Sequence, residues 1–206
     1  MLGSRWKYLE PNLFMILVFT GNGKGKTTVA LGQAMRALGN NERVLIIQFI
    51  KGPFKSGEDI LISKFKNQKL KLQIKNKNLL KGLESFYDFK IIKTGKGFVG
   101  ILGDKLPFSV HKKAAEKGLK IAEKAIKSKK YDLIILDEIN NAVDLKLLKE
   151  KQVLSVIKIA QKEKDIILTG RNAPESFIKM ADLATEMKEV KHPYQKGEGA
   201  RKGIEF

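Results

Sequence analysis

The 206-residue chain contains no cysteine, which excludes disulfides and thiolate metal sites and leaves oxygen ligands for any metal. Its two histidines, His111 and His192, lie far apart in sequence. Long hydrophobic runs are also missing: the longest, residues 13–19, falls far short of the ~20 residues that span a bilayer. The residues before it lack the layout of a signal peptide, so a cytoplasmic protein without membrane contact is expected. Acidic residues are scarce, with 22 Asp and Glu against 40 Lys and Arg, a formal net charge of +18 and a pI near 9.9. Such a balance attracts polyanions. Arginine is scarce too, and the lysines are spread along the whole chain, which describes a solvated surface better than the Arg forks and stacking aromatics of a nucleic-acid reader. Nucleic acid is therefore not an expected partner.

The length suits one sizeable core: a single domain over 1–206, with a leader at 1–12 and a polar, glycine-rich tail at 191–206 that should be a loop or mobile. Residues 15–19 (MILVF) form a continuous apolar run ending at glycines, as expected of a strand buried on both faces. From Lys26 the residues Leu31, Met35 and Leu38 recur at helical spacing, and Gly39 is placed to end that helix in the left-handed conformation. Residues 43–49 read as the next strand, 131–136 and 165–169 as further ones, with amphipathic helices over 111–128 and 145–162. The pattern predicts an α/β fold, a mostly parallel sheet with helices on both faces. Residues 69–75 (KLKLQIK) alternate with period two and suggest an edge strand, although a helix also fits them.

Thr20-Gly21-Asn22-Gly23-Lys24-Gly25-Lys26-Thr27-Thr28 lies between the first strand and the first helix. It ends as a phosphate-binding loop does, in Gly-Lys-Thr, with Thr20 where a Gly is commonly found. Glycines at 21, 23 and 25 let successive N–H groups turn toward phosphate oxygens, and the helix adds its positive end. Lys26 would reach the terminal phosphates and the Thr27 hydroxyl a Mg²⁺ ion. Asp137 and Glu138, at the carboxyl end of the strand Leu133-Ile134-Ile135-Leu136, stand where open α/β sheets bind ligands. Either would hold Mg²⁺ directly or through water. Arg171, after the strand at 165–169, could fork onto phosphate. Asn76-Lys77-Asn78-Leu79 lacks the Asp of a guanine-reading motif, which favours ATP.

Together TGNGKGKTT (20–28), QFIKG (48–52), LDEIN (136–140), LTGR (168–171), EVKHPY (189–194) and KGIEF (202–206) resemble the ATP:corrinoid adenosyltransferases. The resemblance covers nearly the whole chain. It implies a P-loop, RecA-like fold, usually a homodimer, that transfers the 5′-deoxyadenosyl group of ATP to cobalt(I) of a corrinoid and releases triphosphate. It further implies ATP bound in reverse of the usual P-loop sense and a separate reductase or flavodoxin-type electron donor. The loop residues Gly21, Asn22, Gly23, Lys24, Gly25, Lys26, Thr27 and Thr28 would bind nucleotide. Lys24, Lys26 and Arg171, with Mg²⁺ on Thr27 and Glu138, would stabilise the leaving triphosphate. By resemblance alone Gln48 and Lys51 are nucleotide or corrinoid contacts. Gly97-Phe98-Val99-Gly100 matches a Gly-Phe-Thr-Trp motif that displaces the lower axial ligand of cobalt; Phe98 is kept, and Gly100 stands in place of the Trp. His192 reads as a surface residue and His111 as a helix-start residue. A RecA-like ATPase or nucleic-acid motor, a small-molecule kinase and a carrier without turnover are the rival readings of the same loop.

Overall fold

The computed structural model describes residues 14–52, 54–72, 89–101, 103–160 and 164–204. Among them six strands form one sheet: β1 (Ile16–Thr20), β2 (Val44–Gln48), β3 (Lys90–Lys93), β4 (Leu133–Asp137), β5 (Asp165–Thr169) and β6 (Leu183–Glu186), in the order β3-β2-β4-β5-β1-β6. Every neighbouring pair is parallel, so all carboxyl ends share one edge. Parallel strands require crossovers. The helices are α1 (Lys26–Gly39), α2 (Gly57–Leu72), α3 (Phe108–Lys127), α4 (Ile139–Asp144), α5 (Glu150–Ala160) and α6 (Glu175–Met180).

The strands read as unbroken apolar runs because both faces of the sheet are covered. Ile134 and Leu136 pack with Leu45, Ile47, Ile166 and Leu168 on the face that α3 and α5 cover, whereas Leu133 and Ile135 pack with Val44, Ile46 and Ile167 on the face of α1. Helix α1 meets the sheet through Ala30, Ala34 and Ala37, small residues at helical spacing that allow a close approach. Helix α3 buries His111, Ala115, Gly118, Leu119, Ala122 and Ile126 along one stripe and leaves Lys112, Lys113, Lys117, Lys120 and Lys124 exposed. Each buried Leu or Ile side chain contributes roughly 1.5–3 kcal/mol.

Several sequence expectations are corrected. Residues 69–72 belong to α2, not to an edge strand, and 73–75 lie outside the described residues, as does the Asn76–Leu79 segment. The edge strands are β3 and β6 instead, four residues each and too short to announce themselves by periodicity. Gly39 is the last residue of α1 without a left-handed conformation; the positive φ falls on Asn41 at 64°, a residue that tolerates it through its short polar side chain. The single helix expected over 145–162 begins only at Glu150. Lys146 has φ 61°, which interrupts helical winding, and α4 fills the preceding turn.

Gly118 marks the tightest helix-to-sheet contact on α3. A Cβ there would lie 2.6 Å from Thr94 Oγ1 and 3.0 Å from the Phe49 ring. Gly118→Ala is expected to lower stability by about 1 kcal/mol or more, the overpacking outweighing the ~1 kcal/mol gain in helix propensity. Urea unfolding checks this through a lower midpoint at unchanged slope; an unmoved midpoint would show that the helix can back away.

Candidate active site

A cleft of about 450 Å³ opens at the carboxyl edge of the sheet, lined by residues 22–28 together with Lys51, Glu58, Glu138, Arg171, His192 and Ile204. The phosphate loop leaves β1 through Gly21 at φ 93° and enters α1 through Gly25 at φ 119°, conformations that only glycine adopts readily. Its outer side rests on the chain after β6: Gly23 N–H donates to Met187 O at 2.7 Å, and a Cβ on Gly21 would lie 2.4 Å from the same oxygen. Lys26 is buried, and its ammonium donates to Gly21 O at 2.8 Å and Gly23 O at 2.7 Å. The loop is thus wrapped around its own lysine. Burial lowers the Lys26 pKa, Glu138 opposing and Arg171 reinforcing the effect. Thr20, in place of the usual glycine, is not idle: its hydroxyl accepts from Ala173 N–H at 3.0 Å and ties the loop's entry to the segment after β5.

Asp137 lies beneath the cleft, fully buried. Its Oδ1 accepts from Thr27 Oγ1 at 2.8 Å and Thr169 Oγ1 at 2.7 Å, and its Oδ2 from Gln48 Nε2 at 3.0 Å. One carboxylate therefore joins α1, β5 and β2. Glu138 follows in a left-handed turn, φ 64°, which swings its side chain from the strand into the cleft. Its N–H donates to Thr169 Oγ1 at 3.0 Å. Burial, then the neighbouring Asp137 charge, pushes the Glu138 carboxyl up to about 7. Asn140 Nδ2 donates to Gly170 O at 3.1 Å, and Arg171 N–H to Asn141 Oδ1 at 2.5 Å. These bonds knit LDEIN to LTGR and place Arg171 at the rim.

Thus Asn22, Gly23, Lys24, Gly25, Lys26, Thr27, Thr28, Glu138 and Arg171 converge on one cleft, with Gly21 directly behind it. Asp137 and Gln48 do not line it. Gln48 is fully buried and its amide donates to Asp137. Phe98 does not line it either and stands 57% exposed on the loop after β3. Lys51 does, its Nζ 2.9 Å from Glu58 Oε1 and 3.9 Å from Asp137 Oδ2. Burial pushes the Lys51 pKa down, but Asp137 and Glu58 outweigh it and hold the ammonium above its ordinary value. Sequence reasoning missed Glu58 and the lining residues Gly203 and Ile204, which the carboxyl-terminal segment brings back to the loop. His192, read as a surface residue, also lines the cleft, its Nδ1 accepting from Tyr194 N–H at 3.2 Å.

The donor set fits a hard cation. Thr27 donates its hydroxyl proton to Asp137, which leaves oxygen lone pairs toward the cleft, and Glu138 adds a carboxylate. Gln48 Oε1, beneath the cleft, is buried without a protein partner. Among the described residues no group of three or more acidic or His side chains could enclose a metal, so a cation here would complete its shell with water and phosphate oxygens, as Mg²⁺ does.

A carboxyl raised from 4.5 to about 7 in the folded protein binds more protons than in the unfolded chain between those values. Stability therefore falls as pH rises through that window. Glu138→Gln is expected to remove this slope and make the free protein more stable than wild type at pH 8, with little difference at pH 4.5. Urea midpoints at both pH values check it; an equal pH dependence in the variant would refute the assignment.

Residues 13–206 match the family model described as ATP:corrinoid adenosyltransferase BtuR/CobO/CobP. The chain is 33% identical over 196 residues to a corrinoid adenosyltransferase of a Sinorhizobium species, covering 93% of this chain and 80% of that one. It is 32% identical over 192 residues to the Pseudomonas aeruginosa corrinoid adenosyltransferase, covering 93% and 83%. Among solved structures the RadB recombinase shares the fold, with a TM-score of 0.50 at 12% identity over 88% of this chain and 78% of that one. The parallel P-loop sheet, the cleft formed by GNGKGKTT, LDEIN and LTGR, and the match along almost the entire sequence agree: this chain belongs to the ATP:corrinoid adenosyltransferase family.

Proposed function

We propose that the protein transfers the 5′-deoxyadenosyl group of ATP to cobalt(I) of a corrinoid, with triphosphate as the leaving group. The observation that supports this most is the convergence of Lys24, Lys26, Lys51 and Arg171 with the loop N–H groups in one cleft. That concentration of donors suits a polyphosphate. Cobalt supplies the electron pair of the new Co–C5′ bond, and the C5′–O bond breaks with its pair passing to triphosphate. The protein therefore needs alignment and charge stabilisation more than a base. Lys26, once phosphate replaces the carbonyls of Gly21 and Gly23 as its partner, faces the developing negative charge; Arg171 and Lys24 face it from the rim. Thr27 and Glu138 would hold Mg²⁺, which when bound neutralises triphosphate charge, with Asp137 orienting the Thr27 hydroxyl.

The acceptor surface lies on the neighbouring loop. A Cβ on Gly52 would lie 3.1 Å from Gly97 Cα, so the loop carrying Phe98 adjoins Lys51 and the cleft. Phe98 and Ile101 are more than half exposed and offer apolar area to a corrin. A separate reductase or flavodoxin-type donor would deliver the electron to cobalt, the chain would act as a homodimer, and its place would be the cytoplasm. Among the described residues no helix is long and apolar enough to cross a membrane. The motor and kinase readings gain nothing from the RadB likeness, which concerns fold.

Anaerobic incubation with chemically reduced cobalamin and MgATP tests the proposal. Adenosylcobalamin and triphosphate should form in equal amounts; ADP without a corrinoid change would overturn it. Lys26→Ala is expected to reduce turnover about 10²-fold or more, the scale of losing one transition-state charge partner, and near-normal turnover would remove Lys26 from the site.

A further inference from the structure

The loop between β3 and α3 contains glycines at positive φ, Gly97 at 109°, Gly100 at 68° and Gly103 at 79°, and no open space around them is filled by packing. Left to itself such a segment would sample many conformations, since glycine has the largest backbone freedom. It nevertheless carries the exposed Phe98 and Ile101. Its start is fastened to the end of β2: Gly95 N–H donates to Gln48 O at 3.2 Å and Gly97 N–H to Ile50 O at 3.0 Å. Its far half is fastened by the Asp104 N–H, which donates to Ile101 O at 3.1 Å, and by the side chain of the same residue. Asp104 Oδ2 accepts from Gly100 N–H at 2.9 Å, and Oδ1 from Leu106 N–H at 3.0 Å. The same Oδ2 lies 3.0 Å from Nε2 of His111, a close contact rather than an aligned hydrogen bond, on an imidazole of the first turn of α3 that is 2% exposed. One carboxylate thus gathers the loop before and after it and anchors both to a helix seated on the sheet.

We propose that Asp104 and His111 are a positioning pair that pre-shapes the Phe98–Ile101 segment as the apolar contact for the corrinoid. This rests on the function proposed above. The pair touches neither nucleotide nor cobalt; it acts by removing the loop's conformational freedom before the acceptor arrives, so that binding does not have to supply that ordering. It also gives Gly100 a role. A glycine N–H at positive φ bonded to Asp104 fixes by backbone what a large side chain at that position would fix by packing. The dependence falls on the corrinoid alone, because the phosphate loop is held separately by Met187 and by its own lysine.

The test combines amide exchange with steady-state kinetics on Asp104→Ala, Asp104→Asn, His111→Ala and His111→Gln, each first checked for wild-type circular dichroism. In Asp104→Ala and His111→Ala the amides of Gly100 and Leu106 should exchange about 10-fold faster, with Gly23 and Val29 unchanged. The KM for reduced cobalamin should rise about 5–10-fold while the KM for ATP stays within twofold. His111→Gln, whose amide nitrogen can reach Asp104 from the same place, should recover most of the loss, and Asp104→Asn, which keeps one acceptor oxygen, should fall between. Unchanged exchange at Gly100 and Leu106, equal shifts in both KM values, or no recovery by His111→Gln would overturn the pair's role. Exchange does not depend on turnover: faster loop exchange in variants of a wild-type protein that makes no adenosylcobalamin would overturn the corrinoid reading itself and with it the assigned purpose of the pair.

Discussion

The buried Asp137 carboxylate is the constraint on which the site depends. It receives one hydroxyl from the start of α1, one from the end of β5 and an amide from the end of β2, so three elements distant in sequence are held by a single acceptor at the sheet's carboxyl edge. A buried carboxylate is tolerable only with such partners; Gln48 and Thr169 end their strands and Thr27 lies in the first turn of α1. The phosphate loop, Glu138 and the Arg171 turn inherit their positions from that junction. Replacing any one of the three donors would leave acceptor capacity buried and unpaired, which costs more than the net value of the bond itself.

Around this junction the protein keeps its cations ready without discharging them. Lys26 is lodged on loop carbonyls, and Lys51 is lodged on Glu58 with Asp137 nearby. Lys26 is buried and Lys51 half-buried, yet both are paired, so a polyphosphate that offers better acceptors exchanges one set of partners for another at reduced desolvation cost. Glu138 is the opposite case. Burial beside Asp137 disfavours its charge, and a cation held there would restore it, which would couple cation and proton at one carboxyl.

Much of this was legible in the sequence for a physical reason. Strands buried on both faces must be unbroken apolar runs, and β1, β2, β4 and β5 are; a loop that cradles phosphate must be glycine-rich between strand and helix, and residues 20–28 are. Short, half-exposed elements left no such trace. β3 and β6 have four residues each, and β6 is exposed throughout, so neither hydrophobic period nor length could mark them. Residues 69–72 alternated like a strand and fold as helix, because a window that short fits both periods. Gln48 carried the polarity of a ligand contact but points inward, a distinction that depends on which way a strand's last residue faces.

The sequence by itself determined the fold class, the phosphate loop with Lys26 and Thr27, the acidic strand end and the family, since each is written in contiguous residues whose local geometry is dictated by glycine, by apolar runs or by helix entry. Tertiary structure alone decided the rest. One left-handed turn left Asp137 buried and turned Glu138 into the cleft; Lys51, Glu58, His192 and Ile204 were brought to the same opening; Asp104 was placed beside His111 across the loop after β3. Those pairings join residues whose separation along the chain carries no pattern, and only the packing of helices on a parallel sheet sets the distances between them.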